Sequence, residues 1–384
     1  MRRPASHGKG CPSVPPKSPD SNPPSKTGPV RLLVVDDSAY NRRNIAAVFA
    51  DNRDVEVVGK AADGEEALRL ATALKPDVIT LDLEMPRMDG FTFLRILMSR
   101  QPTPVIVVSS YSQKENVFKA LELGALDFVA KPDRQIAPDA ADVRDEILAK
   151  VMLVRSLRPA LPVPLPRRQT SGIFNEGVRT SSPDMAPVSA KYEAPKHVVG
   201  IASSTGGPSA LLELFGKMSL TSVSAFLIAQ HMPDKFTRTF AERLDRRGPF
   251  RVSEAQDGDL VGVRTAFVCP GRQCMEVFGA QSGELRLRVA GALSTDRYVP
   301  SADRLLTSLA KTAGARAIGL VLTGMGEDGV EGAKAIRAAG GTVVAESAES
   351  AVVNGMPGAV IRAGAASKVL SLVEMSEWLA QLPG

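Results

Sequence analysis

The chain has 384 residues, of which 44% are apolar and 23% are charged, values that exclude a wholly disordered protein and supply more than one hydrophobic core. It contains no apolar run of the roughly 18 residues that a membrane span needs, and its three cysteines are too few for a disulfide framework, which favours a cytoplasmic location. The net charge of +5 comes from two proline-rich segments and leaves the remainder close to neutral, so we expect no nucleic-acid binding.

The composition divides the chain into four segments. Residues 1–30 and 158–195 are rich in proline, serine and basic residues, so we expect a disordered tail and a partly extended linker. Residues 31–157 and 196–384 are predicted to fold as two domains.

The first domain is predicted to contain five strand–helix units. Short, β-branched apolar runs alternate with helical patterns, as in a doubly wound parallel sheet. The predicted strands are 31–35, 55–61, 78–83, 105–109 and 127–130. The predicted helices are 38–50, 64–74, 90–100, 113–123 and 139–157.

Polar residues follow the ends of these strands. The set consists of Asp36, Asp37, Asp82, Ser109 and Lys131. Because functional groups collect at the carboxyl ends of parallel strands, we expect them to share one crevice. A Mg²⁺ ion would relieve the repulsion between the carboxylates, and Asp82 would accept a phosphoryl group. For any single residue, the simpler interpretation is a helix cap or a polar loop residue.

The motifs VVDDS, LDLEMPRMDG, VVSS and AKP make residues 31–157 similar to the receiver domain of two-component response regulators, which is flavodoxin-like. The resemblance implies that Asp82 is phosphorylated by a histidine kinase of the CheA type. It also implies that the backbone carbonyl of Glu84 joins Asp36, Asp37 and Asp82 around Mg²⁺. Lys131 would pair with the phosphate, and Ser109 would be the switch hydroxyl.

In the second domain, strand-like runs VVGIA, FLIAQ, AIGLVLT and GTVVAES alternate with stretches that we expect to be mostly helical. His231 follows one strand, Ser203, Ser204 and Thr205 follow another, and Asp328 lies in a Gly-rich loop after a third. A serine, a histidine and an aspartate at three strand ends can form a catalytic triad. The simpler interpretations are a structural histidine and a phosphate-binding glycine loop, although the spacing G-x-G-x-x-G is absent.

The motifs SSTGGP, AQHMP, VCPG, LTGMGEDG and NGMP resemble the catalytic domain of the chemotaxis receptor methylesterases of the CheB type. The family implies a Rossmann-like serine hydrolase that demethylates glutamate methyl esters and deamidates glutamines on the cytoplasmic helices of methyl-accepting chemotaxis receptors. It would meet the membrane only through the receptor, and ester hydrolysis would need no cofactor.

By this resemblance Ser204 is the nucleophile, His231 the general base and Asp328 the residue that orients it. The backbone of Met325 would support the oxyanion, and Thr205 would shape the nucleophile turn. Ser203 remains an alternative nucleophile, and Cys269 and Cys274 are expected to be packed thiols. A phosphorylation-switched binding protein is the alternative from another class, and a transcription regulator is a weaker one.

Overall fold

The computed structural model describes residues 28–110, 113–131, 141–157, 192–218 and 223–383. The predicted tail and most of the predicted linker, residues 1–27 and 158–191, lie outside these ranges. At the end of the linker, the hydroxyl of Tyr192 already accepts a hydrogen bond from the amide of Leu285, 3.1 Å away. No helix among the described residues is long and apolar enough to cross a membrane.

The first domain is a five-stranded parallel sheet in the order β2-β1-β3-β4-β5. Its strands are β1 (Val30–Val35), β2 (Val55–Ala61), β3 (Val78–Leu81), β4 (Val105–Ser110) and β5 (Asp127–Lys131). Its helices are α1 (Ala39–Val48), α2 (Gly64–Leu74), α3 (Gly90–Arg100), α4 (Lys114–Glu122) and α5 (Ala141–Leu153). All five predicted strand–helix units are confirmed.

Local chemistry sets the starts of three of these helices. The side chains of Ser38, Asp63 and Asp89 are N-caps, each accepting a hydrogen bond from the backbone three residues on. Such a cap satisfies one of the free amides of the first turn. Each of these helices follows a strand, so the caps also fix loops at the carboxyl edge of the sheet.

The second domain is built on a seven-stranded parallel sheet in the order β14-β13-β12-β6-β7-β9-β8. Its strands are β6 (His197–Ser203), β7 (Ser224–Gln230), β8 (Arg251–Glu254), β9 (Thr265–Val268), β12 (Ala317–Val321), β13 (Thr342–Glu346) and β14 (Lys368–Leu370). A separate antiparallel hairpin is formed by β10 (Gln273–Gly279) and β11 (Leu285–Gly291). The helices of the second domain are α6 (Gly207–Lys217), α7 (Asp234–Asp245), α8 (Ala302–Ala313), α9 (Val330–Ala338), α10 (Met356–Arg362) and α11 (Leu372–Ala380).

The predicted parallel α/β class is confirmed for both domains, but the expectation of mostly helical connections was wrong for residues 251–291. That stretch forms β8, β9 and the hairpin. Strands β8 and β9 have only four residues each, which is too short to establish a period. The alternation in Leu285–Gly291 was a strand signal that the prediction missed.

The two domains pack together through an apolar interface. Helix α4 and strand β5 of the first domain lie against α6 and α7 of the second. The ring of Phe118 stacks on Phe240 with centroids 5.6 Å apart, and Phe128 lies 4.6 Å from Phe236. All four rings are buried. This contact, which we call the phenylalanine interface, joins the two hydrophobic cores into one.

Candidate functional site

The crevice of the first domain brings together the predicted acidic residues and the lysine. Asp36 follows β1, Asp82 follows β3, and Lys131 ends β5. The Lys131 Nζ lies 3.0 Å from Asp82 Oδ2 and 3.3 Å from Asp36 Oδ2, and all three side chains are buried. The predicted convergence of strand ends therefore occurs here.

Burial dominates the electrostatics of this crevice. It raises the pKa of Asp82 to about 6, since the carboxylate loses its hydration, although the nearby Lys131 acts in the opposite direction. Burial likewise raises the pKa of Asp36, again opposed by Lys131. Any added positive charge near such a buried carboxylate stabilises its ionised form.

The donor set fits a hard divalent cation. Carboxylate oxygens of Asp36, Asp37 and Asp82 lie within 4.8 Å of one another, and Mg²⁺ prefers such ligands. The Ser109 hydroxyl donates to Gln113 at 2.6 Å, within its own loop. Glu84 is exposed just beyond Asp82, and its backbone carbonyl as a metal ligand stays a prediction.

In the second domain three strand ends meet around Ser204. Strand β6 ends at Ser203, and β7 ends directly before His231. The amide of Ser204 donates to the carbonyl of Thr323 at 3.0 Å, and the amide of His231 donates to the carbonyl of Ser203 at 3.0 Å. Backbone hydrogen bonds between neighbouring strand ends therefore place the serine, the histidine and the Gly-rich loop together.

The histidine and the aspartate are paired. His231 Nε2 lies 2.9 Å from Asp328 Oδ2. Asp328 is buried and also accepts hydrogen bonds from the amides of Ala302 and Asp303, at 2.8 and 2.9 Å, at the start of α8. The carboxylate is thus fixed by backbone donors, and Nδ1 is the imidazole nitrogen left for a serine hydroxyl.

The two adjacent serines have different surroundings. Ser203 is fully buried, and its hydroxyl donates to Gln230 Oε1 at 2.7 Å. Ser204 is half-buried in the turn after β6, and among the described residues its hydroxyl makes no hydrogen bond. This difference supports Ser204 rather than Ser203 as the reactive hydroxyl.

Glycines let two loops approach the serine closely. Gly206 has φ +78°, and a Cβ on Gly207 would lie 2.1 Å from Gln230 Oε1, so the turn before α6 requires glycine. A Cβ on Gly324 would lie 2.8 Å from that of Ser204. Met325 follows directly, with an exposed side chain, and the role of its backbone amide at the site stays a prediction.

Two contacts were not anticipated from the sequence. The hydroxyl of Thr205, predicted only to shape the turn, donates to Asp127 Oδ2 at 2.7 Å, across the domain interface. The ring of Tyr298 is stacked on the imidazole of His231, with centroids 5.3 Å apart and planes 8° apart. Both partners are distant in the chain, so no local motif could have indicated these pairs. Cys269 and Cys274 are buried free thiols, as predicted.

Comparisons with known proteins agree with this two-domain organisation. The family model for the response regulator receiver domain matches residues 32–137, and that for the CheB methylesterase matches residues 199–379. A protein-glutamate methylesterase/protein-glutamine glutaminase of Myxococcus xanthus is 45% identical over 93% of this chain and 98% of its own length. One from Geobacter sulfurreducens is 46% identical over 92% and 98%.

Solved structures include matches to each half of the chain. The CheB methylesterase catalytic domain of Thermotoga maritima is 35% identical, with a TM-score of 0.47, and the match covers 49% of this chain and 98% of that one. The response regulator domain of CheB from the same organism is 41% identical, with a TM-score of 0.33, over 34% and 99%. On the family models and the full-length relatives, this chain belongs to the CheB family of protein-glutamate methylesterases/protein-glutamine glutaminases that carry a receiver domain.

Proposed function

We propose that this protein is a phosphorylation-activated serine hydrolase that removes the methyl group from glutamate methyl esters on chemotaxis receptors. The observation that carries the proposal is the His231–Asp328 pair beside the turn that holds Ser204. Such a pair is what a serine needs to become a nucleophile.

The reaction follows from this arrangement. His231 takes the proton of the Ser204 hydroxyl through Nδ1 while the serine oxygen attacks the ester carbonyl. The imidazolium returns the proton to the leaving methoxide, so methanol departs and an acyl-enzyme remains. Water, activated by the same imidazole, then hydrolyses the acyl-enzyme and restores the receptor carboxylate. Asp328 holds the imidazole in place and stabilises its cation in both steps.

The negative charge on the carbonyl oxygen needs donors that are already in place. The backbone amide of Met325 and the amino-terminal end of α6 both lie in loops beside Ser204, and both are suitable. A glutamine side chain has a carbonyl of the same shape, so the same steps would release ammonia from a receptor glutamine. The protein would then act as a deamidase as well.

The receiver crevice supplies the input. Asp82 would accept the phosphoryl group from a histidine kinase of the CheA type, with Mg²⁺ held by Asp36, Asp37 and the carbonyl of Glu84. The cation, when bound, supplies positive charge for the phosphate oxygens. Lys131 and Ser109 would then contact the phosphate.

The phenylalanine interface supports inhibition by the unphosphorylated receiver. Strand β5 carries Lys131 at its carboxyl end and Asp127 and Phe128 at its amino end, so one strand joins the phosphoacceptor crevice to the contacts with α7 and Thr205. In this state the receiver covers the residue next to Ser204. Phosphorylation would shift the equilibrium toward an undocked receiver and open the site to a receptor helix.

The test is methanol release from methylated receptor membranes, with and without a small-molecule phosphodonor. In Ser204→Ala we expect the rate of methanol release to fall by about 10³-fold or more, because the nucleophile is lost. Ser203→Ala is the matched control: it removes the neighbouring hydroxyl, leaves the pair intact, and should keep most of the activity. Near-normal activity of Ser204→Ala, together with loss of activity in Ser203→Ala, would contradict the assignment.

A further inference from the structure

The aromatic ring on the catalytic histidine is the strongest feature that the proposed reaction has not used. Tyr298 lies parallel to the imidazole of His231, at a centroid distance of 5.3 Å and an angle of 8°. Its hydroxyl makes no hydrogen bond among the described residues. The ring face, rather than the hydroxyl, is therefore the part of Tyr298 that contacts the site.

The ring of Tyr298 packs against the Gly-rich loop. Gly326 has φ +90°, and a Cβ there would meet the Tyr298 hydroxyl at 2.8 Å. The guanidinium of Arg297 lies 5.4 Å from the centroid of the same ring and is hydrogen-bonded to Glu327. The loop that contains Met325 and Asp328 thus packs against the tyrosine that supports the histidine.

One short segment serves both members of the pair. Four residues after Tyr298, the amides of Ala302 and Asp303 begin to hold the Asp328 carboxylate. The segment 298–303 therefore fixes the imidazole from its face and the carboxylate from its backbone donors. A displacement of this segment would change both contacts at once.

We propose that Tyr298 is a positioning residue for His231: its ring holds the imidazole in the plane that faces Asp328, and its π-face stabilises the imidazolium formed during catalysis. The face of an aromatic ring attracts a cation, and it attracts a neutral imidazole much less. The stack is therefore strengthened when the histidine takes the serine proton. This inference rests on the proposed function, because it assigns His231 the role of general base.

One consequence concerns the charge state of the histidine. Losing the ring face removes a favourable contact of the imidazolium that the neutral imidazole lacks. A contact of this kind at a partly exposed site corresponds to about half a pH unit. Among the described residues, the charged groups near this pair include Asp328, Asp303, which interacts with Asp328, and the Arg297–Glu327 pair beyond the tyrosine ring, and none of them is altered by the substitutions below.

The experiment compares Tyr298→Leu, which keeps apolar volume but has no π-face, with Tyr298→Phe, which keeps the ring. We expect Tyr298→Phe to remain within about twofold of the unaltered protein. In Tyr298→Leu we expect kcat to fall about 3- to 10-fold with little change in KM, and the acid limb of the pH profile to move down by about half a unit.

A second measurement is independent of turnover. The chain contains only three histidines, so the pKa of His231 in the intact protein can be followed by NMR with labelled histidine, its signal assigned with His231→Gln. The same downward shift should appear in Tyr298→Leu and not in Tyr298→Phe. An unshifted His231 pKa in Tyr298→Leu, or a rise in KM with kcat unchanged, would overturn the positioning role.

Failure of the proposed function and failure of the proposed role of Tyr298 would give different results. If the proposed function is wrong, the unaltered protein releases no methanol or does so without Ser204. If only the role of Tyr298 is wrong, the unaltered protein releases methanol and needs Ser204 to do so, while the pH profile of Tyr298→Leu is the same as that of the unaltered protein.

Discussion

Asp82 and Asp328 are both buried in the loop that follows a parallel strand, Asp82 directly after β3 and Asp328 near the end of the loop between β12 and α9, yet their partners differ. Asp328 is bonded by two backbone amides and an imidazole. Asp82 has one backbone amide, that of Leu83, and a lysine that it shares with Asp36. Burial raises the pKa of Asp82 to about 6.

In the proposed function, this difference separates a carboxylate that orients the catalytic histidine from one that accepts a phosphoryl group. The backbone donors to Asp328 are fixed, so its charge is stabilised without any bound ion, and it stays in one position. The charge on Asp82 is less well compensated, so a bound cation or the proposed phosphorylation would change its surroundings more. Two buried aspartates in strand–helix loops therefore suit different roles according to the donors around them.

Replacing each aspartate by asparagine tests this comparison most strongly. In Asp328→Asn one carboxylate oxygen is replaced by an amide nitrogen, which donates hydrogen bonds instead of accepting them. Because the imidazole of His231 then loses the acceptor that orients it, kcat should fall about 10³- to 10⁴-fold. Asp82→Asn should leave the basal rate unchanged and abolish the response to a phosphodonor. Methanol release with and without the phosphodonor measures both. A basal rate that falls equally in the two variants would remove the distinction.

The next prediction concerns the contact between the two domains. Asp127 is buried, accepts from Thr205, and lies 3.2 Å from Lys150 Nζ. Asp127→Ala leaves the Thr205 hydroxyl without its acceptor only while the receiver is docked, so docking weakens. A charge-assisted hydrogen bond of this kind is worth about 1.5–3 kcal/mol, and we expect the unphosphorylated rate to rise about tenfold.

Its control is Asp145→Ala, which removes an exposed carboxylate of α5 in the same domain and should change nothing. After phosphorylation, Asp127→Ala and the unaltered protein should have the same rate, because the contact is then already broken. An unchanged rate in unphosphorylated Asp127→Ala would show that this hydrogen bond does not contribute to inhibition.

The parts of the fold that the sequence predicted are those with local signals. The bounds of α2 and α3 were predicted correctly, and each follows a capping aspartate, Asp63 or Asp89. The carboxylate crevice could be predicted because parallel strands bring their ends to one edge. The hairpin of β10 and β11 was missed because the alternating pattern of the surrounding βα units was extended over it.

The contacts that escaped prediction depend on packing between distant segments. Asp127 precedes Thr205 by 78 residues, and their hydrogen bond exists only because the two domains are docked. The stack of Tyr298 on His231 likewise depends on how the segment before α8 crosses the end of β7. Neither residue type nor spacing carries that information, so these pairs had to be seen in three dimensions.

The smallest effect is expected at the rim of the domain interface. Arg243 of α7 forms ion pairs with Glu115 and Glu122 of α4, both at 2.9 Å, and lies over the ring of Phe118. The two glutamates are partly exposed, and such ion pairs contribute only about 0.2–1 kcal/mol each. Arg243→Ala should therefore raise the unphosphorylated rate about two- to fivefold.

The dependence of the rate on ionic strength distinguishes the contribution of the Arg243 ion pairs from that of the buried contacts in the domain interface. Salt screens exposed charges, so the basal rate of the unaltered protein should rise with added salt and that of Arg243→Ala should rise less. Arg246→Ala is the matched control, because within the part of the chain that the structure describes its guanidinium forms an ion pair with Glu242 of its own helix and with no residue of the first domain. If both arginine variants behave alike, Arg243 does not help to hold the receiver, and docking rests on the remaining contacts, among them the phenylalanine interface, Asp127 and the Arg247–Glu122 ion pair.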